Sequence, residues 1–86
     1  MVEEGDGTFT VTVVDGGRSH AYTVRVPSGL PASLGCAHVP VADLVRSSFS
    51  FLLAREPPSS ILRSFSLEQI ADYFPDYPDA IRRTMA

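Results

Sequence analysis

Hydrophobic and polar positions follow three successive patterns along this chain, and each predicts a different element. From residue 8 to 14 (TFTVTVV) they alternate: Phe9, Val11 and Val13 share one side, Thr8, Thr10 and Thr12 the other. A period of two built from β-branched residues predicts a strand. Asp15-Gly16-Gly17-Arg18 then supplies a tight turn, because glycine admits positive φ. Residues 19–26 (SHAYTVRV) alternate again, with Tyr22, Val24 and Val26 on one face and Thr23 and Arg25 opposite. Residues 8–26 thus read as an antiparallel hairpin with one apolar face, and His20 is expected on its outer, solvent-facing side.

Pro27 ends the second strand. Residues 27–40 (PSGLPASLGCAHVP) read as a loop anchored by Leu30, Leu34 and Val39, with a short third strand near Cys36–Val39 as an option.

The second pattern is an apolar run predicting a helix over about 40–55. On a helical wheel Val41, Leu44, Val45, Phe49, Phe51, Leu52 and Leu53 cover an arc of roughly 200°, twice the ~100° stripe of an amphipathic surface helix. Asp43, Arg46, Ser47 and Ser50 fill the polar strip. Pro40 suits the first turn, and Pro57-Pro58 stops the helix. A helix this apolar has to be covered on two sides. The rest of the chain is expected to cover one side well and the other only in part, which points to a partner surface that includes Phe49, Phe51 and Leu53.

The third pattern is a set of short helices over 59–84. Ser59 or Ser60 can cap a turn carrying Ile61 and Leu62. Ser66, with Gln69 three residues on, makes a capping box, and Phe65 and Ile70 can close a hydrophobic staple. Pro75 ends that helix, and Pro78 opens a last one, about 78–84, anchored by Ile81. The lone hairpin would be marginal in water, so one face should pack on the long helix, leaving an edge that could extend across a two-fold axis.

Composition narrows the function classes. At 86 residues the chain reads as one domain with a thin margin of stability, which again favours a dimer or a complex. Seven arginines and no lysine stand against ten acidic residues, and the net charge of −3 opposes broad nucleic-acid binding. Cys36 is the only cysteine, so no intramolecular disulfide can form, in keeping with a reducing compartment. Residues 1–6 read as an acidic mobile tail, unlike a signal peptide, and no run approaches the ~20 apolar residues of a membrane span. The expectation is a soluble cytoplasmic protein.

Candidate chemistry is sparse. His20, Cys36 and His38 are too few and too oddly spaced for structural zinc. The serines lack a nucleophile elbow, and Ser59, Ser60 and Ser66 read as caps. Asp15-Gly16-Gly17 joins two strands rather than preceding a helix, so it reads as a turn and not a phosphate loop. Asp72, Asp76 and Asp79 lack a calcium-loop pattern, and Asp76 and Asp79 suit a helix N-terminus. Their neighbours Tyr73 and Tyr77 join the candidate partner surface, since tyrosine is enriched at interfaces. No catalytic, cofactor or metal residues are assigned. The alternative is a degenerate helix-turn-helix over 67–86, carried by Ile70-Ala71 and Ile81, with Arg82 and Arg83 facing phosphates. Pro75 at the turn, Pro78, and the negative charge of Asp76 and Asp79 oppose it.

The hairpin from Phe9 to Val26, then Val26-Pro27, Leu30-Pro31 and Gly35, then the helix from Val41 to Leu53, resembles the N-terminal half of HicB-type antitoxins. The resemblance covers about half the chain. It implies a small α+β domain that binds a small toxin, joined to a C-terminal DNA-binding element; the aspartate-centred loop of that family is missing here. The expectation is therefore an α+β domain with a two- or three-stranded antiparallel sheet on one long helix, followed by two or three short helices. It would act, without catalysis, as a protein–protein interaction module: a homodimer, or an antitoxin-like partner of a small protein.

Overall fold

The computed structural model describes residues 2–5 and 7–85. Its elements are β1 (Val2–Gly5), β2 (Thr8–Asp15), β3 (Arg18–Arg25), α1 (Leu30–Ser33), α2 (Val41–Leu53), β4 (Ser64–Ser66), α3 (Ile70–Tyr73) and α4 (Tyr77–Met85), with 3-10 turns at Pro58–Ser60 and Leu67–Gln69. The class is α+β. None of the described helices is long and apolar enough to cross a membrane.

The predicted hairpin forms in the predicted register, with Phe9 opposite Val24 and Val11 opposite Tyr22. Asp15 pairs with Arg18, so Gly16 and Gly17 alone make the turn, at φ 57° and 81°. Positive φ at both central residues is the type I′ pattern, whose twist matches that of the flanking strands. The inner face buries Phe9, Val11, Tyr22, Val24 and Val26.

The sheet is larger than the sequence suggested, with four strands in the order β1-β2-β3-β4. Residues 2–5, expected within a mobile tail, form β1 antiparallel to β2; Met1 and Asp6 lie outside the described residues. Gly7, at φ 75°, closes the link by accepting the Val26 backbone N–H at 2.7 Å. The expected third strand near Cys36–Val39 is instead a series of turns. The additional strand on the other edge is β4, parallel to β3, with Phe65 opposite Val24. The sheet is therefore mixed, not purely antiparallel. His20 also departs from expectation: it shares the parity of Tyr22, sits half-buried on the core side, and stacks on the Tyr22 ring at 6.5 Å.

The long helix runs from Val41 to Leu53 and is covered on two sides, as its apolar arc demands. Phe49 faces the sheet, with ring centroids 5.3 Å from Tyr22 and 5.9 Å from Phe65. Phe51, two positions and about 200° further round, faces the C-terminal helices, 5.3 Å from Tyr77 and 5.8 Å from Phe74. α2 is thus the middle layer of the fold, between the sheet and α4. Leu44 and Val45 are fully enclosed, and Ile81 of α4 is buried with them.

Candidate interaction surface

Three of the five residues assigned to a partner surface belong to the core. Phe49 is 4% exposed, Phe51 9% and Tyr77 1%. The correction has one cause: α4 and the segment before it cover the second side of α2, so the oversized apolar arc is met within a single chain. Tyr77 opens α4 directly over Phe51, and the Arg55 guanidinium caps that ring from outside, 3.6 Å from its centroid. The other two residues remain at the surface, Leu53 at 38% and Tyr73 at 67% exposure.

Tyr73 stands on the rim of a groove that the sequence did not delineate. Its floor and walls come from Leu52, Ile61, Leu62, Phe65, Tyr73 and Phe74, and its volume is about 170 Å³. The chain builds it where four pieces meet: the end of α2, the Pro58–Ser60 turn, β4 and α3. Pro57-Pro58 breaks the helix and turns the backbone. The Tyr22 hydroxyl, reaching through from the sheet, donates to the Pro58 carbonyl and pins that turn. Gln69 Oε1 accepts the Ser66 backbone N–H at 2.8 Å, which fixes the start of the next helical turn. Phe65 and Ile70, the expected staple pair, are both buried, but Leu62 is 52% exposed. Leu62 therefore does not help to cover α2. The sequence signal for this was available: Leu62 sits between a proline-rich turn and Arg63, with no helical period to carry it inward.

The groove is apolar, and residues of both signs lie near it, Arg25 lining an adjoining hollow that shares Phe65 and Gln69 with it. Glu56 lines it. Glu68 and Asp72 are exposed and each immediately precedes a lining residue, Gln69 and Tyr73. None of the three takes part in an ion pair among the described residues, whereas Asp43, Asp76 and Asp79 are held by Arg46, Arg55 and Arg82.

The arginines of the DNA-binding alternative are engaged with their own chain. Arg82 pairs with Asp79 at 3.1 Å and donates through Nε to the Leu34 carbonyl at 3.3 Å, lying against Gly35. Arg83 Nε donates to the Asp79 carbonyl at 3.4 Å. Arg82 thus ties the loop after α1 to α4.

Buried polar groups form a structural set. The Ser48 hydroxyl donates to the Leu44 carbonyl at 2.7 Å and lies 2.7 Å from the Tyr77 hydroxyl. Burial pushes the Tyr77 phenol up to about 12, against a smaller opposing pull from the Ser48 hydrogen bond. The Cys36 thiol is enclosed, and burial raises its pKa too, partly offset by the Arg82 charge. Ser48 lies outside the polar strip of α2: its wheel position falls among Val41, Leu44 and Leu52, which is the signal for its burial. His20, Cys36 and His38 do not come together: among the described residues no three His, Cys, Asp or Glu side chains are placed to hold a metal ion. His38 instead meets the Met85 carbonyl at 3.1 Å.

Comparison of the chain with protein-family models, curated proteins and solved structures finds no match.

Proposed function

We propose that this protein is a non-enzymatic protein-binding module whose binding surface is the groove between the end of α2, β4 and α3. The observation that carries this reading is the exposure of Leu62 and Tyr73 on either side of an apolar floor. A chain that encloses Phe49 and Phe51 within itself still leaves two large side chains in water at one place. Its volume is below the ~300–1,000 Å³ of small-molecule sites. It is close to the 150 Å³ of an engineered apolar cavity that holds benzene, and so accommodates one large side chain.

The partner is read as a different protein rather than a second copy. β1 offers an open strand edge, but its sequence is Val-Glu-Glu-Gly. Antiparallel self-pairing would set Glu3 and Glu4 of one copy against those of the other, and like charges directly opposite are destabilising. An antitoxin-like role, holding a small toxin in the groove, is the specific form of this reading that the resemblance to HicB-type antitoxins supports.

The test is site-specific cross-linking. A photoreactive residue replaces Tyr73 in one version of the full chain and Val14, at the far end of the hairpin and 72% exposed, in another. The expected result is one discrete protein adduct from position 73 and none from position 14. Equal labelling from both positions, or no adduct from position 73, would overturn the reading.

A further inference from the structure

We propose that a hollow on the outer face of the sheet, centred on Arg25, binds a phosphate group. This site is separate from the apolar groove and does not depend on how that groove is read.

Strand register assembles it. Arg25 lies opposite Thr8 on one side and Ser66 on the other, so β2, β3 and β4 bring the three side chains into one row. Thr23 and Ser64 face each other in the next row, two residues along. Side chains alternate between the two faces of a strand. Phe9, Val24 and Phe65 are buried on the face that α2 covers, so this set stands on the opposite face. Together with Gln69 the five line a hollow of about 510 Å³. That volume falls within the ~300–1,000 Å³ of small-molecule sites, which are mostly apolar. This one, apart from Phe65, is walled by four hydroxyls, an amide and a guanidinium, so its occupant is polar.

Charge sets the sign of that occupant. Arg25 is exposed and takes part in no ion pair among the described residues, and none of the described lining residues is acidic. Glu4, which β1 brings to the same face, is turned to the Thr10 hydroxyl at 3.2 Å. The hydroxyls each have a proton to donate. The Ser66 hydroxyl is the most telling. Its oxygen faces the Gln69 backbone N–H as in a capping box without closing a hydrogen bond, is sealed from solvent, and has no partner among the described residues. A buried polar group left in this way calls for a partner. Arg25 and Gln69, the two long side chains of the hollow, can turn aside to admit one.

The shape of the donor set favours phosphate over carboxylate. A guanidinium engages two oxygens of an oxyanion at once. Hydroxyls in both rows are then left for further oxygens, which a planar carboxylate lacks and a tetrahedral phosphate has. The hollow also leaves room for whatever group carries the phosphate.

The test is an NMR titration of the full chain with inorganic phosphate, with a short phosphoserine peptide and with acetate, all at constant ionic strength. The expected result is saturable shifts confined to the amides of residues 8, 23–25 and 64–66, with acetate at least tenfold weaker than phosphate. Arg25→Gln should weaken phosphate binding at least tenfold and Thr23→Val severalfold. Arg18→Gln, which removes the same charge at the far end of the hairpin, should leave binding unchanged. Circular dichroism first confirms that each variant folds. Should Arg25→Gln fail, Arg25→Lys takes its place and should bind severalfold more weakly, because it keeps the charge and loses the fork. Tighter binding of the peptide would assign a phosphate carried on a side chain, and equal or weaker binding a free ion; both support the site. No saturable shift with either phosphate, shifts spread equally over the other arginines, acetate bound as well as phosphate, or the same affinity loss in Arg18→Gln as in Arg25→Gln would overturn it. None of these outcomes bears on the groove, which cross-linking at position 73 tests.

Discussion

The hydroxyl oxygens of Ser48 and Tyr77 lie 2.7 Å apart where α2 meets α4, and the Ser48 hydroxyl donates a hydrogen bond to the Leu44 carbonyl. Both side chains are essentially sealed from solvent. The two halves of this relay are unequal. Ser48→Ala leaves the Tyr77 hydroxyl buried without a partner and should cost about 1–3 kcal/mol, whereas Tyr77→Phe removes one hydrogen bond and should cost about 0.5–1.5 kcal/mol. The double variant should cost less than the sum, because neither polar group is stranded. Urea denaturation of all four proteins measures the cycle; strict additivity would show that the two hydroxyls are not coupled.

Alkaline stability should depend on the same tyrosine. Tyr77 has an ordinary value of 10.0 when exposed and about 12 in the folded protein. Between those values the folded state holds more protons than the unfolded one, so stability falls as pH rises. The contribution is intact below pH 10 and is lost progressively up to about pH 12, for a total of roughly 3 kcal/mol. Tyr22, raised by burial, and Cys36, raised from 9.0 by burial, act in the same direction. Thermal melts from pH 8 to 11 should show the midpoint dropping above pH 9–10. In Tyr77→Phe the fall should be shallower.

Phe51→Ala and Leu53→Ala separate the core from the surface of one helix. Phe51 touches Phe74, Tyr77 and Arg55, and its truncation should cost about 3–5 kcal/mol, enough to unfold much of a domain this small. Leu53 is 38% exposed, so its truncation should cost under about 1 kcal/mol. Chemical denaturation checks both; similar losses would place Leu53 in the core as well.

Gly7→Ala should be among the most damaging small changes. An added Cβ there would sit 2.5 Å from the Val26 carbonyl oxygen, on a backbone already at φ 75°. Left-handed strain alone costs roughly 1–2 kcal/mol, and a backbone atom cannot swing aside. Gly16→Asn, in open space at φ 57°, should stay within about 1 kcal/mol of the native protein. Hydrogen exchange at the Val26 amide gives a local readout, since that N–H binds the Gly7 carbonyl.

The hairpin and the long helix were legible in the sequence because each has a sustained period, two for Thr8–Val14 and about 3.6 for Val41–Leu53. β1 and β4 were not. Val-Glu-Glu-Gly carries no apolar face and is ordered by pairing with β2, while Ser-Phe-Ser is three residues long and owes its strand geometry to β3. Both are tertiary decisions written into the neighbours. The apolar excess of α2 was read correctly as needing two covers. Its second cover was misassigned to a partner, because Tyr77 and Ile81, which supply it with Phe74, lie on α4 close to Pro75 and Pro78 and among aspartates that look like surface. The groove was missed for the complementary reason: Ile61 and Leu62 read alike as apolar residues of one capped turn, and only the fold shows Leu62 half out.

Because Phe49 is sealed by Tyr22 from the first third of the polypeptide together with Phe65 from the last, and Phe51 by Phe74 and Tyr77 from the last, neither end can complete the middle alone. A nascent chain that has emerged only as far as Leu53 can form its hairpin but holds Phe51 against water. Closure waits on the arrival of α4. Such a protein is poorly suited to vectorial folding on the ribosome and well suited to all-or-none assembly, in which losing either terminal third leaves a sticky fragment rather than a smaller domain.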